Sequence, residues 1–154
     1  MQEIDENRSK RRSSCPISFA LDVFGDKWSL LILRDIIFYH RTRFSDFTPQ
    51  EKAATNVLSD RLKKLEQQGI IEKRRDLTLR NQYIYTVTEK GEQLIPMLIE
   101  LTLWGLEHDA DSLASEAFIV RMQSDKPKVV REIGRSIRQG TFTNYRIKKM
   151  GINP

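Results

Sequence analysis

Thr55, Asn56, Ser59, Asp60 and Lys63 recur at short helical spacing in the stretch "ATNVLSDRLKKLEQQGIIEKRR", residues 54 to 75. On a helix, that spacing gathers them along one side. Amide, hydroxyl, carboxylate and ammonium groups displayed together can read base-pair edges. Asn suits adenine, Ser and Thr suit several edges, and a carboxylate suits the cytosine amine, each good pair discriminating by about 1–3 kcal/mol. Cations nearby could hold phosphates: Lys64 on the same helix, then Lys73, Arg74, Arg75 and Arg80 on and around a hairpin, with Asn81 beside them. Lys27 at a helix start and Arg43 before a short helix extend the set. Ordinary roles compete with these. Asp60 could form a salt bridge with Lys64 at i+4, Arg61 could be a structural ion-pair partner, and strand alternation must turn some hairpin cations away.

The elements that position these groups can be placed from pattern. Leu58, Leu62 and Leu65 form the opposite, apolar stripe of the helix opened by Ala54 or Thr55, and Gly69 supplies its left-handed end. Upstream, "CPISFALDVFG" predicts a helix with Pro16 in its first turn and Gly25 after it. "DKWSLLILRDIIF" predicts a second, with Asp26 as cap; it is apolar nearly all round and so is expected at the centre of the core. Phe44 and Phe47 anchor a short helix, followed by a turn in "TPQEKA". The hairpin pairs Ile71–Asp76 with Gln82–Val87 around a tip at 77–81. Thr88 is expected to cap one helix running to about Gly105, kinked at Pro96, with Leu94, Ile95, Leu98, Leu101 and Trp104 on its apolar side. Trp28 and Trp104 are expected in the core or at a dimer seam. A final helix is expected over 126–139, capped by Asp125 and striped by Val129, Val130, Ile133 and Ile137.

Composition narrows the class. The 154 residues carry 39% hydrophobic side chains and a formal charge of +5, enough for one domain with an appendage. The expected division is a flexible basic arm (1–14), a domain over 15–110 and a basic extension over 111–154. Residues 54–91 hold eight Lys or Arg against five acids, whereas 92–116 hold six acids and no Lys or Arg. A polyanion would therefore meet the arm and the middle of the chain. No run approaches membrane-span length, and the polar start lacks a secretory apolar region, so a cytoplasmic protein is expected. One cysteine and two histidines give no metal-ligand cluster. No phosphate loop or nucleophile–base spacing is visible, so neither enzyme activity nor a cofactor is expected.

The order of three helices, a turn before the third, and a hairpin with basic residues defines a winged helix-turn-helix, mainly α with a small β wing. Its motifs resemble those of the HxlR family of bacterial regulators, distant relatives of the MarR regulators. The matching residues are Cys15-Pro16, "LDVFGDKW" (21–28), "RF" (43–44), "LSDRLKKLEQQGII" (58–71), "YTVTEKG" (85–91), Leu101 and "WG" (104–105). The wing tip departs from the family, with Arg80-Asn81 where prolines are frequent, and the chain runs on past the usual domain end.

The resemblance implies a cytoplasmic homodimer that binds double-stranded DNA, joined through its N-terminal helix and the helix after the wing. Two reading helices would face half-sites roughly 34–36 Å apart, hence a near-palindromic operator. With no attached activation module, repression is the expected mode. The resemblance also makes Cys15 a candidate sensor of oxidants or electrophiles, since a helix N-terminus and neighbouring cations favour thiolate chemistry; packing as a small residue at the dimer seam is the competing role. The alternatives are a small-molecule-responsive regulator without thiol sensing, and a winged helix used for protein contacts.

Overall fold

The computed structural model describes residues 12–140 apart from 80, 113 and 115. The expected arm up to residue 11, Arg80 and the basic stretch 141–154 lie outside the described residues. Among the described residues, seven helices and one hairpin follow in order: α1 (Pro16–Phe24), α2 (Ser29–Tyr39), a 3-10 turn (Phe44–Asp46), α3 (Thr55–Gln67), β1 (Ile71–Arg75), β2 (Tyr83–Val87), α4 (Glu89–Glu92), α5 (Ile95–His108), α6 (Glu116–Ser124) and α7 (Lys126–Gln139).

α2 is the hub. Its "LLILRDIIF" has apolar side chains on almost every side, so cover must come from several directions. α3, β2, α5 and α7 all pack against it, and Ile32, Leu33, Ile36, Ile37 and Phe38 are buried. The N-cap position falls on Trp28 rather than on the expected Asp26, but the Asp26 side chain serves the free amides at the start of the helix. Its carboxylate accepts the Trp28 and Ser29 amides at 2.9 and 3.0 Å and the Ser29 hydroxyl at 2.6 Å. Burial works against its charge, but these hydrogen bonds outweigh that and hold the carboxyl below its ordinary range.

α3 buries Leu58, Leu62 and Leu65 against α1, α2 and β1. Gly69 follows at φ +66°, the left-handed value that a Cβ would disfavour. The hairpin is antiparallel, with Ile71 opposite Val87 and Arg75 opposite Tyr83. Arg43 bridges to Ile84, and the Tyr85 amide donates to the Thr42 carbonyl at 2.7 Å, so the segment before the 3-10 turn lies along β2 as a rudimentary third strand.

One expectation is corrected here. The helix after Thr88 is two helices, broken at Gln93–Leu94, and Pro96 sits in the first turn of α5 rather than at a mid-helix kink. Proline is tolerated there because its missing N–H has no intrahelical partner to lose. The short α4 exists to clamp the α3–β1 junction. The Thr88 hydroxyl accepts the Gly91 amide and donates to the Gly69 carbonyl at 2.6 Å, and Lys90 Nζ donates to the Gln68 carbonyl at 2.6 Å. A Cβ on Gly91 would overlap the Ile70 carbonyl.

The apolar side of α5 is also redistributed. Ile95, Leu98 and Ile99 are buried, whereas Leu101 and Trp104 lie 47% and 64% exposed. Trp28 is half-buried.

A further helix, α6, packs with α7 as a hairpin on α5. Phe118 meets Phe38 edge-on at 6.2 Å, and Met122, Val129 and Ile133 are sealed in the same core. Asp125 caps α7 by accepting the Lys128 amide at 3.0 Å. No described helix is long and apolar enough to cross a membrane.

Because Ile133 is fully buried where α7 packs on α2 and α5, Ile133→Ala should lower the unfolding free energy by about 2–5 kcal/mol, read from urea denaturation. A loss below ~1 kcal/mol would show that α7 contributes little to the folding unit.

Candidate nucleic-acid interface

The exposed side of α3 carries Thr55, Asn56, Ser59, Asp60 and Lys63, all solvent-facing, with Lys64 half-buried at its flank. Rigid backing comes from the leucine stripe behind them. Asp60 pairs at 3.5 Å with its neighbour Arg61, which also lies 3.7 Å from Asp26. Arg61 thus ties α3 to the start of α2, and the Asp60 carboxylate, two-thirds exposed, still points outward.

What aims α3 is a buried charge cluster that pattern reading did not single out. Asp35, at 0% exposure in the middle of α2, accepts from Arg34 Nε and Nη2 at 3.0 and 2.8 Å and pairs with Arg41 at 3.2 Å. Its other oxygen accepts the Thr48 amide at 2.6 Å. Arg34 continues to Glu51 at 2.8 Å. Burial by itself would depress the Arg34 guanidinium, but the Glu51 hydrogen bond and the Asp35 charge push it up; the Arg34 hydrogen bond holds Glu51 low. Tyr39 lies under both arginines, 5.4 Å from Arg34 and 4.8 Å from Arg41, and burial raises its phenol. The cluster grips both ends of the α2–α3 turn, where Thr48 and Lys52 adopt left-handed φ of 44° and 52°. Such conformations persist only where the surroundings hold them. The signal was present in sequence: an Arg-Asp pair inside an otherwise apolar, central helix demands partners.

The wing cations have distinct environments. Lys73 faces the aromatic side of the hairpin, its ammonium 4.2 Å from the Tyr83 ring centroid and 5.8 Å from that of Tyr85. Arg74, on the other face, pairs with Glu72 at 2.5 Å. Arg75 is exposed and has no ion-pair partner among the described residues. Asn81 is exposed at the tip, and Arg80 lies outside the described residues. Lys27 is exposed, 5.1 Å from the Trp28 ring.

Arg43 has a structural engagement. Its Nε and Nη2 donate to Asp76 Oδ2 at 3.2 and 2.7 Å, while Asp76 Oδ1 accepts the Thr78 amide and hydroxyl and the Leu79 amide. One carboxylate therefore shapes the wing tip and fastens it to the 3-10 turn. The Thr78 hydroxyl and the Arg43 guanidinium, then the backbone amides, hold the Asp76 carboxyl well below its ordinary 3.8. Beside it, a groove of about 360 Å³ is lined by Arg43, Phe44, Ser45, Asn81, Tyr83 and Tyr85. Cys15 is exposed at the N-cap of α1, its amide donating to Ser13 Oγ at 3.2 Å.

A depressed folded-state value means that the Asp76 contribution to stability is complete above 3.8 and drains away as pH falls below it. Asp76→Asn should therefore flatten the acid limb of the stability–pH curve, followed by urea midpoints, and speed amide exchange at Thr78 and Leu79. An unchanged acid limb would remove Asp76 from the account of the wing.

Comparison with known proteins agrees with this architecture. Over 115 residues the chain is 31% identical to YybR of Bacillus subtilis strain 168, named an HTH-type transcriptional regulator, covering 71% of this chain and 87% of that protein. Among solved structures, PA1607 aligns with a TM-score of 0.60 at 33% identity, over 70% of this chain and 79% of its own. The redox regulator HypR in its reduced form aligns at 0.54 and 28% identity, over 63% and 95%. The family model for HxlR-like helix-turn-helix proteins matches residues 23–112, which takes in α2, the turn set by Asp35, α3 and the wing; the chain belongs to the HxlR family.

Proposed function

We propose that this protein is a cytoplasmic transcriptional regulator that binds double-stranded DNA as a homodimer, most simply as a repressor. The observation that carries the reading is the division of α3: three leucines locked into the core, and Thr55, Asn56, Ser59, Asp60 and Lys63 displayed together on the free side. A helix so mounted fits the major groove, where its N-terminal residues meet base edges. Asn56 is the adenine reader, and Thr55 and Ser59 are adaptable donors and acceptors. Lys63 joins the base-reading set farther along the helix, and Lys64 and the wing cations take the phosphates. Lys27 adds a contact at the start of α2. Arg43 acts here through the wing root, with its remaining exposed edge turned to a phosphate. Relatives named as transcriptional regulators support the reading, as does the family match.

Dimerisation is supported by apolar side chains left on two helices. Ile17 and Leu21 on α1 are 70% and 53% exposed, and Leu101 and Trp104 project from α5. A second copy covering these faces would set two α3 helices on one duplex, so the operator is a near-palindrome. Gel shifts against DNA selected from a random library test this. Asn56→Ala should relax preference at one position of each half-site by about 1–3 kcal/mol. Arg75→Ala should weaken all sequences alike and lower the salt slope. Wild-type protein that selects no DNA would end the proposal.

A thiol input is the second element of the reading, favoured by the exposure of Cys15 at the α1 N-terminus and by likeness to HypR, a redox regulator. Oxidation there would add bulk or a cross-link next to Ile17 and Leu21, disturbing the proposed seam. Diamide should release DNA from the wild type and leave Cys15→Ser bound. Equal sensitivity of the two proteins would exclude this thiol as the sensor.

A further inference from the structure

The helical hairpin α6–α7 lies beyond residues 23–112 and carries a surface that α3 and the wing do not explain. Lys128, Arg131, Arg135 and Arg138 are exposed on α7 at i, i+3, i+7 and i+10. That spacing puts all four within a narrow stripe, about 15 Å long at 1.5 Å per residue. The opposite side of the same helix supplies Val129, Ile133 and Ser136 to the interior.

The distribution of ion pairs within the hairpin is selective. Lys126 pairs with Glu100, Arg121 with Glu132, and Arg138 with Glu92. Lys128, Arg131 and Arg135 have no ion-pair partner among the described residues. Composition points the same way: residues 126–154 contain eight Lys or Arg against the single acid Glu132, a surplus of seven where the entire chain has a surplus of five. Without this segment the chain would be slightly acidic. Its basic character therefore resides largely outside the helix-turn-helix, on a segment whose described helix gathers positive charge on its solvent side.

We infer that the Lys128–Arg131–Arg135 stripe of α7 is a second electrostatic contact for duplex DNA, engaging phosphates outside the stretch read by α3. A membrane surface is a poorer fit, because interfacial helices bury an apolar face in lipid and the apolar face of α7 is already committed to the core. Phosphates of one strand advance 3.4 Å per step along the duplex axis, so the row of three cations from Lys128 to Arg135, about 10 Å long at 1.5 Å per residue, can follow several of them. The stripe adds affinity without reading sequence. The inference rests on the DNA-binding reading of α3, and the experiment separates the two.

Full-length wild type and Lys128→Gln/Arg131→Gln/Arg135→Gln are titrated by fluorescence anisotropy onto a duplex that the wild type selected. One form has the bare site, and the other is extended by about two helical turns on each side. On the extended duplex the triple variant should bind roughly tenfold more weakly at moderate salt, with a log K against log salt slope shallower by about 0.9 for each phosphate that α7 no longer neutralises. On the bare site it should bind like the wild type, with unchanged site preference. A Lys128→Arg/Arg131→Lys/Arg135→Lys protein, which keeps the charge, should restore the extended-duplex value. Equal affinity and slope for wild type and triple variant on both duplexes would overturn the inference and leave the role of α3 standing. A change in dimer mass by light scattering without a change in salt slope would overturn it in favour of an interface between copies. A wild type that binds neither duplex would remove both readings.

Discussion

A carboxylate at the centre of the molecule sets the geometry on which everything else depends. Asp35 is sealed in α2, and an isolated charge there would cost several kcal/mol. It is tolerated because three groups converge on it: the Arg34 guanidinium along one edge, Arg41 at 3.2 Å, and the Thr48 amide on the other oxygen; Glu51 closes the circuit by pairing with Arg34. Two cations and two acids leave the cluster neutral overall. Its specificity is worth more than its energy, since an apolar replacement could match the burial but could not fix the Thr48 amide in space. With Thr48 and Lys52 held in left-handed conformations, the chain turns out of α2 and presents Thr55 at a defined angle.

From that turn the constraint passes to the wing. Thr42 and Arg43 leave the cluster and lie along β2, through the Tyr85 amide and the bridge to Ile84. Arg43 then reaches Asp76, whose second oxygen organises Thr78 and Leu79. On the far side of α3, Thr88, Lys90 and Gly91 clamp the carbonyls of residues 68–70. α3 and the hairpin are thus located from both ends by polar contacts, with the leucine stripe filling the space between. Hydrogen bonds of this kind contribute only about 0.5–1.5 kcal/mol each, but they have direction, which hydrophobic burial lacks. Orientation is what a surface matched to a duplex requires.

Much of this frame was legible in sequence, because local chemistry dictates it. Three leucines at helical spacing, Gly69 at a left-handed end, alternation in "YIYTV" and Thr88 as a cap each have one dominant physical solution. The readings that failed concern competition between local and tertiary effects. Pro96 could kink a helix or begin one, and only the folding of Glu89–Glu92 back onto Ile70 decides for the second. Leu101 and Trp104 are a different case: they share an apolar stripe with Leu98, and their exposure on the monomer excludes the core for Trp104 while leaving the dimer-seam alternative open. Asp35 and Asp76 were missed because their partners lie in other segments, in part 13 and 33 residues distant. An acid's neighbours in sequence do not reveal which amides the fold will bring to it. Among the wing cations, alternation predicted that some would turn away, but not that Arg74 would be drawn to Glu72 and Lys73 seated on Tyr83.

The hub helix also explains why the chain continues past its helix-turn-helix. A segment as uniformly apolar as "LLILRDIIF" has more surface than α3 and the hairpin can cover, and each large side chain left in water forgoes about 1.5–3 kcal/mol. α5 covers part of the remainder. Phe118, Met122, Val129 and Ile133 cover more, and Phe38 and Ile99 are buried as a result of such packing. A hairpin recruited for that purpose needs only its inner face. Its outer face is free of packing constraint, so a mixture of charges of both signs would be the ordinary outcome for a solvated helix. α7 instead has Lys and Arg at four positions along that face and its one acid, Glu132, turned toward Arg121. The inner face answers a demand made by α2; the outer face answers one made by something outside the monomer.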